Sequence, residues 1–150
     1  LGAGDVIEIG VREGVSTLAL LLGLKETNGQ LWSVDVIPCP VAVERVKAYG
    51  LEPWWHFREE PSEAFWPWAV AQGMRPALIL IDGDHTYEAA RADLASALAL
   101  CPSAGWIVLH DALAYPAEVG RAVSEALQTG AAVGVTLPYG HGLTVLRRSV

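Results

Sequence analysis

The chain has 150 residues, is 52% apolar and carries a formal net charge of −7. That length and apolar content suit one folded domain with a real core and exclude a disordered chain. With ten basic against seventeen acidic residues, and no basic run beyond Arg147-Arg148, a phosphate-neutralising surface is excluded, so nucleic acid is not an expected partner.

No membrane partner is expected either. The longest apolar stretch, Leu18 to Leu24, is far short of the roughly 20 residues a span requires. Cys39 and Cys101 follow no metal-ligand spacing and read as ordinary thiols of a reducing, cytoplasmic compartment. The chain opens on a Gly-rich turn without a basic signal region or an initiator Met, almost directly on a core strand. A trimmed N-terminus, or a missing preceding segment, is the expectation.

Asp5–Ile9 reads as a buried β-branched strand. The turn Gly10-Val11-Arg12-Glu13-Gly14 follows, and Ser16–Leu24 reads as a helix with Ser16 or Thr17 near its start. Strand, glycine turn, helix is the order by which α/β proteins bring backbone close to a nucleotide-like ligand. The spacing is Glu-x-Gly-x-x-x-Gly, not the Gly-x-Gly-x-x-Gly of a dinucleotide site, and the loop lacks the Lys of a P-loop. A carboxylate ahead of the turn suits a ligand with a cationic end and no phosphates.

Asn28-Gly29 is a turn, and Leu31–Val36 is a second strand that includes Asp35 near its end. A helix over Val41–Tyr49, a weaker strand over Trp54–Arg58 and a helix over Ser62–Gln72 come next. Ala77–Ile81 is a strongly apolar strand running into Asp82. Tyr87–Leu100 is a helix with Ala89, Ala90, Leu94, Ala97 and Leu98 on one face. Trp106–Leu109 is a strand, Glu118–Gln128 a helix, and Ala131–Leu137 and Leu143–Arg148 are two late strands without a helix between them. Such alternation predicts an α/β domain over the whole chain: a doubly wound, mostly parallel seven-stranded sheet with helices on both faces and a terminal antiparallel hairpin.

Ligands of open α/β sheets bind outside the carboxyl ends of the strands. Glu8, Asp35 and Asp82 fall near three such ends; Asp84 and His85 follow Asp82, and His110-Asp111 ends the fifth strand. Asp35 can accept ribose hydroxyls, and Gly10 and Gly14 let backbone approach a ligand. Glu8 can hold the turn or, through water, a ligand ammonium. Asp82 and Asp111 can share a hard divalent cation such as Mg²⁺. Asp84 or His85 can take a proton from a substrate hydroxyl.

On these residues the chain resembles class I S-adenosylmethionine-dependent methyltransferases, with their Rossmann-like sheet. The likeness is to small-molecule O-methyltransferases of the catechol type and their antibiotic- and sugar-tailoring relatives, and it covers nearly the whole chain. Glu8-Ile9-Gly10 through Gly14 and Ser16 resembles the first motif, Ser33-Val34-Asp35 the ribose-binding acid, and Ser62 a Ser near the adenine. Asp82-Gly83-Asp84-His85-Thr86-Tyr87 resembles the Asp-Gly-x-His-x-Tyr block, the most specific motif present. Ala104 to Asp111, and Gly140-His141-Gly142-Leu143 with Val145 and Arg147, resemble the strand and hairpin that close the fold.

The resemblance implies transfer of the cofactor's methyl to a hydroxyl of a small molecule. It implies cofactor contacts at Glu8, Gly10, Gly14, Ser16, Asp35, Val36, Ser62 and Asp82, metal ligands at Asp82 and Asp111, and a base at Asp84 or His85. Two departures stand out. Ala112 occupies the position where metal-dependent members carry a further Asp or Asn. Helices that cover the substrate would precede Asp5; without them a homodimer partner, or the aromatic segment Trp54, Trp55, Phe65, Trp66 and Trp68, could supply the cover, although core packing is the plainer role for those rings. The alternatives are a cofactor-binding or interaction domain without catalysis, and a dinucleotide-binding domain, against which the glycine spacing argues.

Overall fold

Apolar runs without polar alternation can be buried only between two layers, and the chain uses them so. In the computed structural model, which describes residues 4–149, the strands are β1 (Val6–Ile9), β2 (Leu31–Asp35), β3 (Trp55–Glu59), β4 (Leu78–Ile81), β5 (Trp106–Leu109), β6 (Ala132–Leu137) and β7 (Leu143–Arg148). The helices are α1 (Val15–Lys25), α2 (Pro40–Ala48), α3 (Ser62–Ala71), α4 (Tyr87–Leu100) and α5 (Val119–Gln128). The expected elements all form, each end within one residue of its expected place.

The seven strands make one sheet in the order β3-β2-β1-β4-β5-β7-β6. The first five run parallel; β7 is antiparallel to both β5 and β6, so the late hairpin closes one edge, as expected. The β-strand period of two sends Ile7 and Ile9 of β1 to one face, where they pack with Phe65, Leu94, Ala97 and Val123 of α3, α4 and α5. Val6, on the other face, packs with Leu21 and Leu24 of α1 and Val46 of α2. On that second face the layer ends at α1: Trp106, Val133, Val135 and Leu137 of β5 and β6 stay exposed. Among the described residues no helix is long and apolar enough to cross a membrane.

The sequence order turns at β1. The chain moves to β2 on one side of it and to β4 on the other, so the crevice for a ligand opens between the ends of β1 and β4. Gly10, just after β1, has φ of +91°, and a Cβ there would overlap the backbone carbonyl of Asp82, just after β4. Gly14 has φ of +75°, and its Cβ would lie 2.6 Å from that of Ala42 in α2. The space a side chain would need is filled by the chain's own atoms, so these residues bring the elements around the crevice together.

One buried carboxylate fixes the same region. Glu8 is fully buried. Its Oε1 accepts from Ser16 Oγ at 2.7 Å, and its Oε2 accepts from Thr17 Oγ1 at 2.8 Å and Ser33 Oγ at 2.6 Å. Ser33 Oγ in turn accepts from Trp55 Nε1 at 2.9 Å. Of the two roles open for Glu8, holding the turn is the one it fills; it has no exposed atom for a ligand ammonium. Burial pushes its pKa up, and the three hydroxyls pull the other way.

The aromatic segment forms packing, not a cover. Phe65 and Trp66 are buried in the core, Trp68 packs on Phe65 and Trp32, and Trp55 stacks on Phe57. Glu8→Gln would place amide hydrogens against hydroxyl donors. It is expected to cost about 1–3 kcal/mol of stability, read as a lower denaturant midpoint; an unchanged midpoint would remove the carboxylate from its place in the fold.

Candidate functional site

Asp35 ends β2 beside the glycine turn and spends its carboxylate on that turn. Its Oδ2 accepts the backbone N–H of Val11 at 2.8 Å and of Arg12 at 3.0 Å, and its Oδ1 accepts that of Ile37 at 3.2 Å. Burial would raise its pKa, but these N–H donors win and hold it below the usual carboxylate range. Three of about four acceptor positions on a carboxylate are thus taken before any ribose arrives. Arg12 itself adopts φ of 48°, a strained value for a residue with a side chain. Cys39, buried beside Asp35, has its thiol pushed up to about 11 by burial and by the Asp35 charge, so it stays protonated at neutral pH.

Two clefts flank the turn. The first, of about 500 Å³, is lined by Asp35, Val36, Ser62, Asp82 and Asp84, with Glu60, Glu63 and Asp93 adding carboxylates. The second, of about 540 Å³, is lined by Glu13, Val15, Ser16, Leu80, His110 and Leu143. Gly10, Arg12 and Asp82 line both. Expected contacts Gly10, Asp35, Val36, Ser62 and Asp82 therefore share one cleft, Ser16 faces the other, and Glu8 and Gly14 line neither.

Asp93 is a lining residue that the sequence reading missed. It lies on the buried side of α4, where its Oδ1 accepts from Trp66 Nε1 at 2.8 Å, and burial raises its pKa. Its position between Ala90 and Leu94 on a helix face marks it as inward only once that face is known.

At the far end of Asp82 lies a cluster of carboxylates and imidazoles. His85 Nε2 is 2.9 Å from Asp111 Oδ2 and 3.7 Å from Asp82 Oδ1. His110 Nδ1 is 3.0 Å from Asp111 Oδ1 and 3.4 Å from Asp82 Oδ1. His141 Nδ1 meets Asp111 Oδ1 at 3.1 Å. His85 also stacks on Tyr115 at 4.4 Å between ring centroids. Burial raises the Asp82 pKa; His110 offsets that in part, and the Asp111 charge adds to it. Asp111 is buried and sits at φ of 65°.

The backbone explains how His141 arrives. The N–H groups of Leu113 and Ala114 bond to His141 O at 2.9 and 3.0 Å, and that of Ala112 to Gly142 O at 3.3 Å. Gly142, at φ of +94°, lets the turn press against Leu113, whose N would lie 2.6 Å from an added Cβ. Asp84 stands apart from the cluster: it is exposed, and its Oδ1 accepts the N–H of Thr86 at 2.9 Å. Ala112 is buried and offers no ligand.

The donor set fits a cation. Asp82, His85 and Asp111 each offer a ligand atom within 4.8 Å of the others. Despite the short separations, His85 Nε2 and His110 Nδ1 are shielded from solvent and make no hydrogen bond of acceptable angle. Buried polar atoms left so are uncommon, and a cation would answer them.

A family model described as a methyltransferase domain matches residues 7–112. The chain belongs to this methyltransferase family. The match runs from β1 through the glycine turn to Ala112, so it spans the first cleft, all of the second but Leu143, and most of the cluster. Solved structures agree on the fold. The methyltransferase superposes on an O-methyltransferase of Bacillus cereus in complex with SAH at a TM-score of 0.83 and 16% identity, covering 98% of this chain and 75% of that one. An SAH-bound methyltransferase of Podospora anserina gives 0.77 at 18% identity, over 97% and 72%. A TDP-rhamnose 3'-O-methyltransferase of calicheamicin biosynthesis gives 0.75 at 16% identity, over 96% and 71%. Comparison with curated protein sequences gives no match.

The hold of Asp35 on the turn of this methyltransferase has a direct readout. At neutral pH the Val11 and Arg12 amides are expected to be protected from hydrogen exchange, and Asp35→Ala to cut that protection by about tenfold or more. Because the folded pKa lies below the unfolded value, near 3.9, the wild-type contribution is full above that value and lost only as pH falls through the lowered one. Equal exchange in the variant would free the turn from Asp35.

Proposed function

We propose that the protein transfers the methyl group of S-adenosylmethionine to a hydroxyl of a small molecule. The observation that carries this reading is the charge of the first cleft. Asp35, Glu60, Glu63, Asp82, Asp84 and Asp93 line it against Arg12 alone. A cavity of this size takes a cofactor, and its acids favour hydroxyls, an amine and a sulfonium while opposing the phosphates of a dinucleotide. That is the argument against the dinucleotide alternative.

When bound, S-adenosylmethionine would supply an electrophilic methyl on sulfur, and a divalent cation would supply positive charge that favours a deprotonated acceptor oxygen. The chain's residues do the rest. Val36 and Ser62 flank the adenosine end of the cleft, with Asp35 holding the turn between them and Arg12. Asp82, shared by both clefts, joins the cofactor side to the cluster at Asp111. Asp82 and Asp111 would hold the cation. The acceptor hydroxyl gives up its proton as it takes the methyl, and sulfur keeps the electron pair of the broken bond.

Asp84 is our choice for the proton. It lines the cleft and is exposed, whereas His85 is engaged with Asp111 and Tyr115. The acceptor is a neutral or weakly cationic hydroxylated molecule, in keeping with the acidic lining. A homodimer partner covering the open second cleft belongs to this proposal, as does a cytoplasmic setting for its two free thiols.

Calorimetric titration with S-adenosylmethionine is expected to give micromolar binding, and NAD none. Against a panel of sugars and phenols, Asp84→Asn is expected to lower methyl transfer by about 100-fold or more, the scale of a lost general base, with a much smaller loss of cofactor affinity. Binding without transfer to any acceptor would favour the catalytically silent alternative; no binding would remove the cofactor.

A further inference from the structure

Two carboxylates alone would suit Mg²⁺, which prefers oxygen and keeps its waters. The third group here is an imidazole, and that changes the chemistry. We propose that Asp82 Oδ1, His85 Nε2 and Asp111 Oδ2 form a mixed carboxylate–imidazole site that takes a divalent ion of the zinc or iron class in preference to Mg²⁺.

The argument is geometric first. Ligand atoms about 2.0–2.1 Å from a common ion lie roughly 3.0–3.5 Å from each other. His85 Nε2 lies 2.9 Å from Asp111 Oδ2 and 3.7 Å from Asp82 Oδ1, on either side of that range. A His–Asp hydrogen bond would produce one such distance, but the angle at His85 Nε2 does not make one. The nitrogen is buried beside two carboxylate oxygens without being satisfied by either.

His110 and His141 complete the arrangement from the other side. Both reach Asp111 Oδ1, the oxygen that His85 does not use, at 3.0 and 3.1 Å. A ligating carboxylate is commonly steadied through its second oxygen, and here the His141 ring can do so. His110 Nδ1 is also 3.4 Å from Asp82 Oδ1, close enough to become a fourth ligand. Imidazole nitrogen favours zinc, iron and their neighbours, while Mg²⁺ and Ca²⁺ favour oxygen. The missing acid at Ala112 is thus replaced by nitrogen donors, and the class of ion changes with them.

This inference rests on the reading that Asp82 and Asp111 hold a cation, and it makes His85 a ligand rather than the proton acceptor. The chain has four histidines, so each ring can be assigned by single substitution. The test is nitrogen-detected NMR of the histidine rings of the whole chain during titration with ZnCl₂, and separately with MgCl₂. Zn²⁺ is expected to shift Nε2 of His85 at a single ion per chain, with Mg²⁺ competing at least about tenfold more weakly. His85→Ala is expected to weaken Zn²⁺ by about tenfold or more and Mg²⁺ hardly at all.

His56, stacked on Trp32 at 4.0 Å and hydrogen-bonded to Gln30, reports whether the variant is folded. The wild-type titration decides the question if the variant is not. Zn²⁺ shifting only other rings, or Mg²⁺ competing as an equal, would overturn the proposal. S-adenosylmethionine titrated without metal tests the cofactor reading separately.

Discussion

The structure depends first on an acid placed where water cannot reach it. Glu8 is buried on β1, and its three hydroxyl partners belong to α1 and β2. Through Ser33 the contact extends to Trp55 on β3. A buried carboxylate is tolerated only if its lone pairs are used, so this one ties together the elements that must supply donors. Once they are tied, the turn between β1 and α1 has fixed ends.

The middle of that turn is held by a second acid in the same way. Asp35 takes two N–H groups of the turn, and the bare Gly10 lets it lie against Asp82. Both clefts are walls of this one assembly. The acids near strand ends divide into two kinds. Glu8 and Asp35 have donors from the chain itself: Glu8 is spent on holding shape, while Asp35 holds the turn and also lines the first cleft. Asp82 and Asp111 face each other and three histidines, with buried nitrogens among them unsatisfied, and chemistry is the natural use of such a place.

The sheet was legible because most strands are short apolar runs closed by turn residues and alternate regularly with helical stretches. The crevice was legible from the acids near strand ends. The roles of individual acids were not. Glu8 looks like a ligand contact in sequence because nothing local shows that Ser33 will meet it, and nothing local shows that Asp35 will also hold the amides of Val11 and Arg12. Asp93 was hidden by its helix, since its partner Trp66 is on α3. His141 was hidden more deeply: only the pressing of Gly142 against Leu113 brings it to Asp111, and that contact joins distant parts of the chain. The aromatic segment was ambiguous for a related reason. Rings of that size serve equally as core and as cover until their neighbours are known.

One backbone angle has a consequence for the history of this chain. Asp111 occupies a left-handed conformation that most side chains resist and that Asn and Gly accept. Aspartate codons reach both residues by one base change. Most substitutions there strain the fold and would be purged, but these two keep the backbone while removing the carboxylate. Loss of the carboxylate with retention of the backbone is therefore the easiest drift open to this position, one nucleotide away.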